Sequence, residues 1–158
     1  MKIVSIDWDP AAERFEAEGT HRGHRIDINA PRLKPEGEGR EGPSGFSASE
    51  LLLAGAGACA AWDVVQILRK QQEDVQDLHV EVEGQQQADP PWPYQRIVIR
   101  FEVAGRGLDE GHVRRAVELA VDRYCSVIST LRGVATVTTQ VAIRESSTDQ
   151  RETAPLNA

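Results

Sequence analysis

Cys59 and Cys125 are the only thiols in this chain of 158 residues, and they stand sixty-six positions apart. Two thiols can run a redox cycle: one attacks an electrophile as its thiolate, and the other resolves the product as a disulfide. Metal chemistry fits less well. Two cysteines cannot make a four-thiolate zinc site, and His21, His24, His79 and His112 show neither ligand spacing nor a His-Glu-x-x-His run. A reducing compartment disfavours a purely structural disulfide. Free cysteine is also a common small core hydrophobe, so the choice lies between buried filler and a redox pair.

The surroundings of the two thiols differ. Cys59 lies inside Ala54-Gly55-Ala56-Gly57-Ala58-Cys59-Ala60-Ala61, well past the first turn of the helix it belongs to, where the helix dipole no longer lowers a thiol pKa. Asp63, one turn on, opposes ionisation unless it is paired. Cys125 falls where one helix ends and another begins, so backbone N–H groups can support a thiolate there. On helix electrostatics alone Cys125 is the better nucleophile. Gly55 and Gly57 each cost about 1 kcal/mol in a helix interior, which a sequence accepts where something must approach closely. The expected neighbour is the same helix of a second subunit, with plain tight packing as the alternative.

The elements that position these residues follow from periodicity. Ile3–Trp8, Arg14–Glu18 and His24–Ile28 alternate as strands, the last two around a Gly19–Gly23 hairpin turn. Lys34–Ser44 is a Gly- and Pro-rich loop. Ser47 and Glu50 form a capping box ahead of a helix over about Ala48–Lys70, apolar all round in its first half and therefore expected to be central and buried. Gln76–Gly84 and Gln95–Val103 alternate as an antiparallel hairpin. Asp109 caps a second helix with the stripe Val113, Ala116, Val117, Ala120, Val121 and Tyr124. Ser126–Leu131 reads as a short helix and Val134–Ile143 as a last strand. Hairpins with helices set apart give an α+β fold: antiparallel strands around one long buried helix, with a second helix beside it. Residues 1–143 are expected to form one domain and 144–158 a disordered polar tail.

Composition narrows the partners. The chain is 40% hydrophobic and 27% charged, with a net charge of −7, which argues against a nucleic-acid or anionic-membrane binder. The start of the chain lacks signal-peptide features, and the longest apolar run, Leu51–Trp62, is twelve residues where a span needs about 18. A cytoplasmic protein with no membrane partner is expected.

Gly42-Pro43-Ser44 and Glu50-Leu51-Leu52-Leu53, then Ala58-Cys59 and Trp62-Asp63-Val64-Val65, with Tyr124-Cys125-Ser126-Val127 much later, resemble the OsmC/Ohr family of osmotically induced and organic-hydroperoxide-resistance proteins, and more closely its OsmC-like branch. The resemblance covers nearly all of residues 1–143. It implies an intertwined homodimer around two long helices, acting in oxidative-stress defence as a thiol peroxidase on small organic hydroperoxides. It implies no bound cofactor, and an external dithiol reductant of lipoyl type. Carried across, Cys59 is the peroxidatic cysteine and Cys125 the resolving one, the reverse of the order that helix electrostatics favours. Glu50 matches a glutamate that orients an arginine beside the reactive sulfur. Arg22 and Arg25 are the candidates for that arginine, with Arg40 behind them. Ala48 replaces a proline common in the family. Nine residues on a straight helix place Glu50 and Cys59 about 180° apart around the axis and about 13 Å apart along it, so Glu50 and its arginine are expected to serve the Cys59 of the other subunit. Two alternatives stay open: a non-catalytic, stress-associated binding dimer, and a thiol enzyme acting on another electrophile.

Overall fold

The computed structural model describes residues 2–10, 14–20, 24–28 and 46–146. The chain divides into two compact units, Met1–Ala54 and Gly55–Ala158, with the boundary inside helix α1 (Ala48–Lys70).

In the first unit, β1 (Ser5–Asp9), β2 (Arg14–Glu18) and β3 (Arg25–Ile28) form an antiparallel meander. Its register sets Ile6 beside Ala17 and Ile26, and Trp8 beside Phe15 and Ile28, so strand alternation gathers the apolar residues on one face. The Trp8 and Phe15 rings lie 4.8 Å apart on that face. The other face is charged: Arg14 binds Asp27 at 2.8 Å and Glu16 at 3.1 Å, and Arg25 binds Glu16 at 3.1 Å and Glu18 at 3.6 Å. Ile6, Trp8, Phe15 and Ile26 on that face are exposed. The Lys34–Ser44 loop and most of the Gly19–Gly23 turn lie outside the described residues.

The second unit is built on β4 (Asp74–Gln86), β5 (Tyr94–Arg106) and β6 (Thr136–Glu145), with β5 in the centre. The expected hairpin is β4–β5, while β6 joins β5 in parallel. A parallel neighbour needs a crossover, supplied here by α2 (Glu110–Leu119), a π-helical turn (Ala120–Tyr124) and α3 (Ser126–Leu131). Ile97, Ile99, Phe101 and Val103 of β5 are fully buried on one face. On the opposite face Arg100 reaches Glu81 at 2.7 Å, Glu83 at 2.9 Å and Gln140 at 3.1 Å, tying the three strands together. The last strand runs from Thr136 to Glu145, later at both ends than its alternation suggests, and Ser146 N–H donates to Gly105 O at 2.8 Å. The expected tail thus starts with residues that are paired.

Helix α1 has the expected bounds, but it is not buried all round. Its buried residues are Ala56, Gly57, Ala60, Val64 and Leu68, one narrow stripe, while Leu52 is exposed and Trp62 is 68% exposed. Taken whole, α1 is long and apolar enough to cross a membrane by length and composition, which its twelve-residue core is not; only 28% of its most apolar stretch is buried. The two glycines also separate. A Cβ on Gly57 would stand 2.7 Å from Val82 Cγ2 and 3.6 Å from Val80 Cγ1, whereas one on Gly55 would meet nothing within 4 Å. Gly57 therefore lets α1 approach its own β4 closely. Gly57→Leu is expected to overfill that contact and destabilise the fold by about 1–3 kcal/mol, read from the urea midpoint.

A carboxylate clasp holds the start of α2. Glu73, 9% exposed in its side chain, accepts from Asp109 N–H at 3.2 Å and pairs with His112 Nδ1 at 2.5 Å, while Asp109 Oδ1 caps His112 N–H at 2.9 Å. The hydrogen bond to Glu73 raises the His112 pKa above 6.5. A raised folded-state value means that the protonated clasp contributes fully below pH about 6.5 and is lost as pH climbs through the higher folded-state pKa. Thermal stability measured against pH should fall above 6.5 more steeply in the wild type than in His112→Gln. Equal slopes would remove the clasp from the pH response.

Candidate functional site

Cys59 follows the buried Ala56–Gly57 step of α1 and precedes Ala60, so it sits at the edge of the buried stripe and stays partly accessible. Cys125 is 2% exposed. Its position depends on the π turn. A regular helix through Ala116 and Ala120 would next bury Tyr124, but Cys125 N–H donates to Ala120 O at 2.9 Å, five residues back. The extra residue in that turn rotates the register by one: Tyr124 points outward, 54% exposed, and Cys125 takes the inward place. The sequence reading placed Tyr124 in the core stripe, and the π turn is why it is not there. The apolar spacing Val113, Ala116 or Val117, Ala120, Cys125 carries the signal, once a five-residue step is allowed.

Both thiols are free, and Cys59 and Cys125 lie close enough to influence one another. Residues sixty-six apart in sequence thus meet side by side. Burial first, then the hydrogen bond to Cys59 and the proximity of its charge, push the Cys125 thiol up to about 11. Backbone N–H groups oppose this. Cys125 is the N-cap of α3, its Sγ accepting from Ile128 N–H at 3.4 Å, and the backbone of Val127 acts in the same sense. The helix-end support anticipated for Cys125 is therefore present, but burial outweighs it. With its thiol pushed up to about 11, Cys125 keeps its proton at neutral pH.

The other candidate residues stand as follows. Glu50 closes the capping box: its Oε2 accepts from Ser47 N–H at 2.7 Å and from Ser47 Oγ–H at 2.8 Å, and Glu50 N–H donates to Ser47 Oγ at 3.2 Å. The backbone and hydroxyl donors of Ser47 lower its pKa. Arg25 lies on the charged face of the meander, held by Glu16 and Glu18. Arg22 and Arg40 lie outside the described residues. Among the described residues no cluster of His, Cys, Asp and Glu could hold a metal ion.

Comparison with known proteins bears on this arrangement. A family model described as OsmC-like protein matches residues 39–140, a segment that contains both cysteines. Protein YhfA of Escherichia coli (strain K12) is 37% identical over 101 residues, covering 64% of this chain and 75% of that protein. The crystal structure of an OsmC like protein from Mycoplasma pneumoniae matches with a TM-score of 0.74 at 16% identity, over 91% of this chain and 97% of the other. The organic hydroperoxide resistance protein OhrB of Bacillus subtilis matches with a TM-score of 0.59 at 18% identity, over 89% and 97%. At these identities the two structures speak for the fold.

Proposed function

The chain belongs to the OsmC-like family, and from that premise we propose that it is a thiol peroxidase that reduces organic hydroperoxides through a Cys59/Cys125 redox pair. The observation that carries this reading is the proximity of the two free thiols, Cys59 partly accessible and Cys125 buried. Cys59 thiolate attacks the distal oxygen of the hydroperoxide; the O–O bond breaks, and the alkoxide takes a proton and leaves as an alcohol. Cys59 is now a sulfenic acid. Cys125 attacks that sulfur, its proton and the hydroxyl leave as water, and a Cys59–Cys125 disulfide closes. An external dithiol, of lipoyl type by family likeness, returns both thiols in a reducing cytoplasm.

A thiolate in mid-helix needs a cation. Arg22 and Arg25, with Arg40 behind them, are the candidates for that cation; Arg25 is paired with Glu16 and Glu18. The active form in this reading is a homodimer. A second copy would cover the apolar surface left bare on α1 at Leu52 and Trp62 and on the meander at Trp8 and Phe15.

The test is consumption of cumene hydroperoxide with dithiothreitol as reductant, together with a thiol count. One equivalent of hydroperoxide should remove both free thiols of the native protein and give an intramolecular disulfide. Two titratable thiols surviving that treatment would end the redox-pair reading. Sedimentation at micromolar concentration should show a dimer.

A further inference from the structure

The two free thiols differ in exposure. Cys59 is partly accessible on α1. Cys125 is 2% exposed, set between the π turn and α3 with Val121, Ile128 and Leu131 all buried. A thiolate must approach the sulfur it attacks in line with the S–S bond, so it needs clear space at that sulfur. Reaching Cys125 would require the core around α3 to open, whereas reaching Cys59 requires no such opening.

We propose, on the basis of the redox-pair reading above, that reductive regeneration begins at Cys59, with Cys125 as the leaving thiol. The reductant thiolate bonds to Cys59 Sγ, the S–S bond breaks, and Cys125 departs with the electron pair and then takes up a proton. A mixed disulfide now joins Cys59 to the reductant. The second thiol of the dithiol attacks the reductant's own sulfur in that bond, so the reductant closes into a cyclic disulfide and Cys59 leaves as thiolate. Two electrons pass from dithiol to protein, and each sulfur is accounted for. Cys125 is a poor leaving group because it is buried, but the Ile128 N–H already on its sulfur receives the developing charge. A slow departure from an accessible site outruns attack at a sulfur that the reductant cannot reach.

The same geometry governs back-reaction. Cys125, released in contact with Cys59, can expel the reductant again, so a monothiol adduct on Cys59 recloses unless a second thiol intervenes.

The experiment starts from protein oxidised with diamide, which makes the disulfide without hydroperoxide turnover. The sample is exposed briefly to excess 2-mercaptoethanol, quenched in acid, alkylated with N-ethylmaleimide and mapped by peptide mass spectrometry. The adduct is expected on Cys59 and the alkyl group on Cys125; the reverse pattern, or an even split, overturns the proposal. A second measurement gives a result however fast the adduct recloses, and whether or not diamide closes the disulfide. Cys125→Ser and Cys59→Ser are each converted to the methyl disulfide with methyl methanethiosulfonate, and their reduction by dithiothreitol is timed. Cys59 should be freed at least tenfold faster than Cys125, and equal rates would overturn the proposal. Failure of diamide to yield an intramolecular disulfide counts separately, against the redox pair itself.

Discussion

Cys59→Ser should consume cumene hydroperoxide, with dithiothreitol as reductant, at roughly a thousandth of the wild-type rate or less, the scale of loss that follows removal of a nucleophile. Serine is nearly isosteric with cysteine, and the site at the edge of the α1 stripe is partly accessible, so the fold should hold with little change in the urea midpoint. The remaining thiol makes the result specific. Cys125 is buried and keeps its proton at neutral pH, so it should stay titratable after hydroperoxide treatment once Cys59 is gone. A variant that retains more than a tenth of the activity would show that the chemistry does not run through Cys59.

Cys125→Ser should separate the two halves of the cycle. The first equivalent of hydroperoxide should still be reduced at close to the wild-type rate, while steady-state turnover should fall roughly ten- to a hundredfold, since intramolecular resolution is lost and an external thiol must reach the sulfenic acid instead. Dimedone labelling should place that sulfenic acid on Cys59. The fold is expected to survive, because Cys125 is the N-cap of α3 through its Sγ, and serine is among the preferred N-cap residues. A stability loss well beyond about 1 kcal/mol would mean that the cysteine is held there chiefly for packing. Undiminished turnover would remove Cys125 from the chemistry.

The sequence carries much of this arrangement in local signals. The Ser47–Glu50 capping box fixes where α1 starts, and Asp109 fixes the start of α2; both hydrogen-bond patterns are local, so both are readable. Strand alternation likewise predicts which face of the meander holds Trp8 and Phe15. The parallel pairing of β6 with β5 was not legible, because alternation fixes the face of a strand and says nothing about its neighbour or direction. The fate of the two glycines was not legible either. Small residues announce close approach, but only the sheet shows that Val80 and Val82 do the approaching at Gly57. At the site, the sequence identified both thiols, and helix-end electrostatics pointed to Cys125 as the more reactive. That argument included the N–H groups and lacked the burial, which depends on the π turn and on residues far away in the chain.

The order in which the chain is made gives α1 a particular burden. Its buried stripe rests on a sheet whose first strand begins only at Asp74, and whose parallel strand β6 ends at Glu145. A ribosome adding about 5–20 residues per second completes α1 several seconds before the strand that closes this sheet exists. During that interval a 23-residue apolar helix stands without its platform. The nascent chain therefore presents, for seconds, the same surface that membrane-targeting factors and chaperones select. Glu50 in its first turn, Asp63 in its second half, and Arg69 and Lys70 at its end are then its charged residues, and they weigh against capture by a bilayer before β5 and β6 arrive.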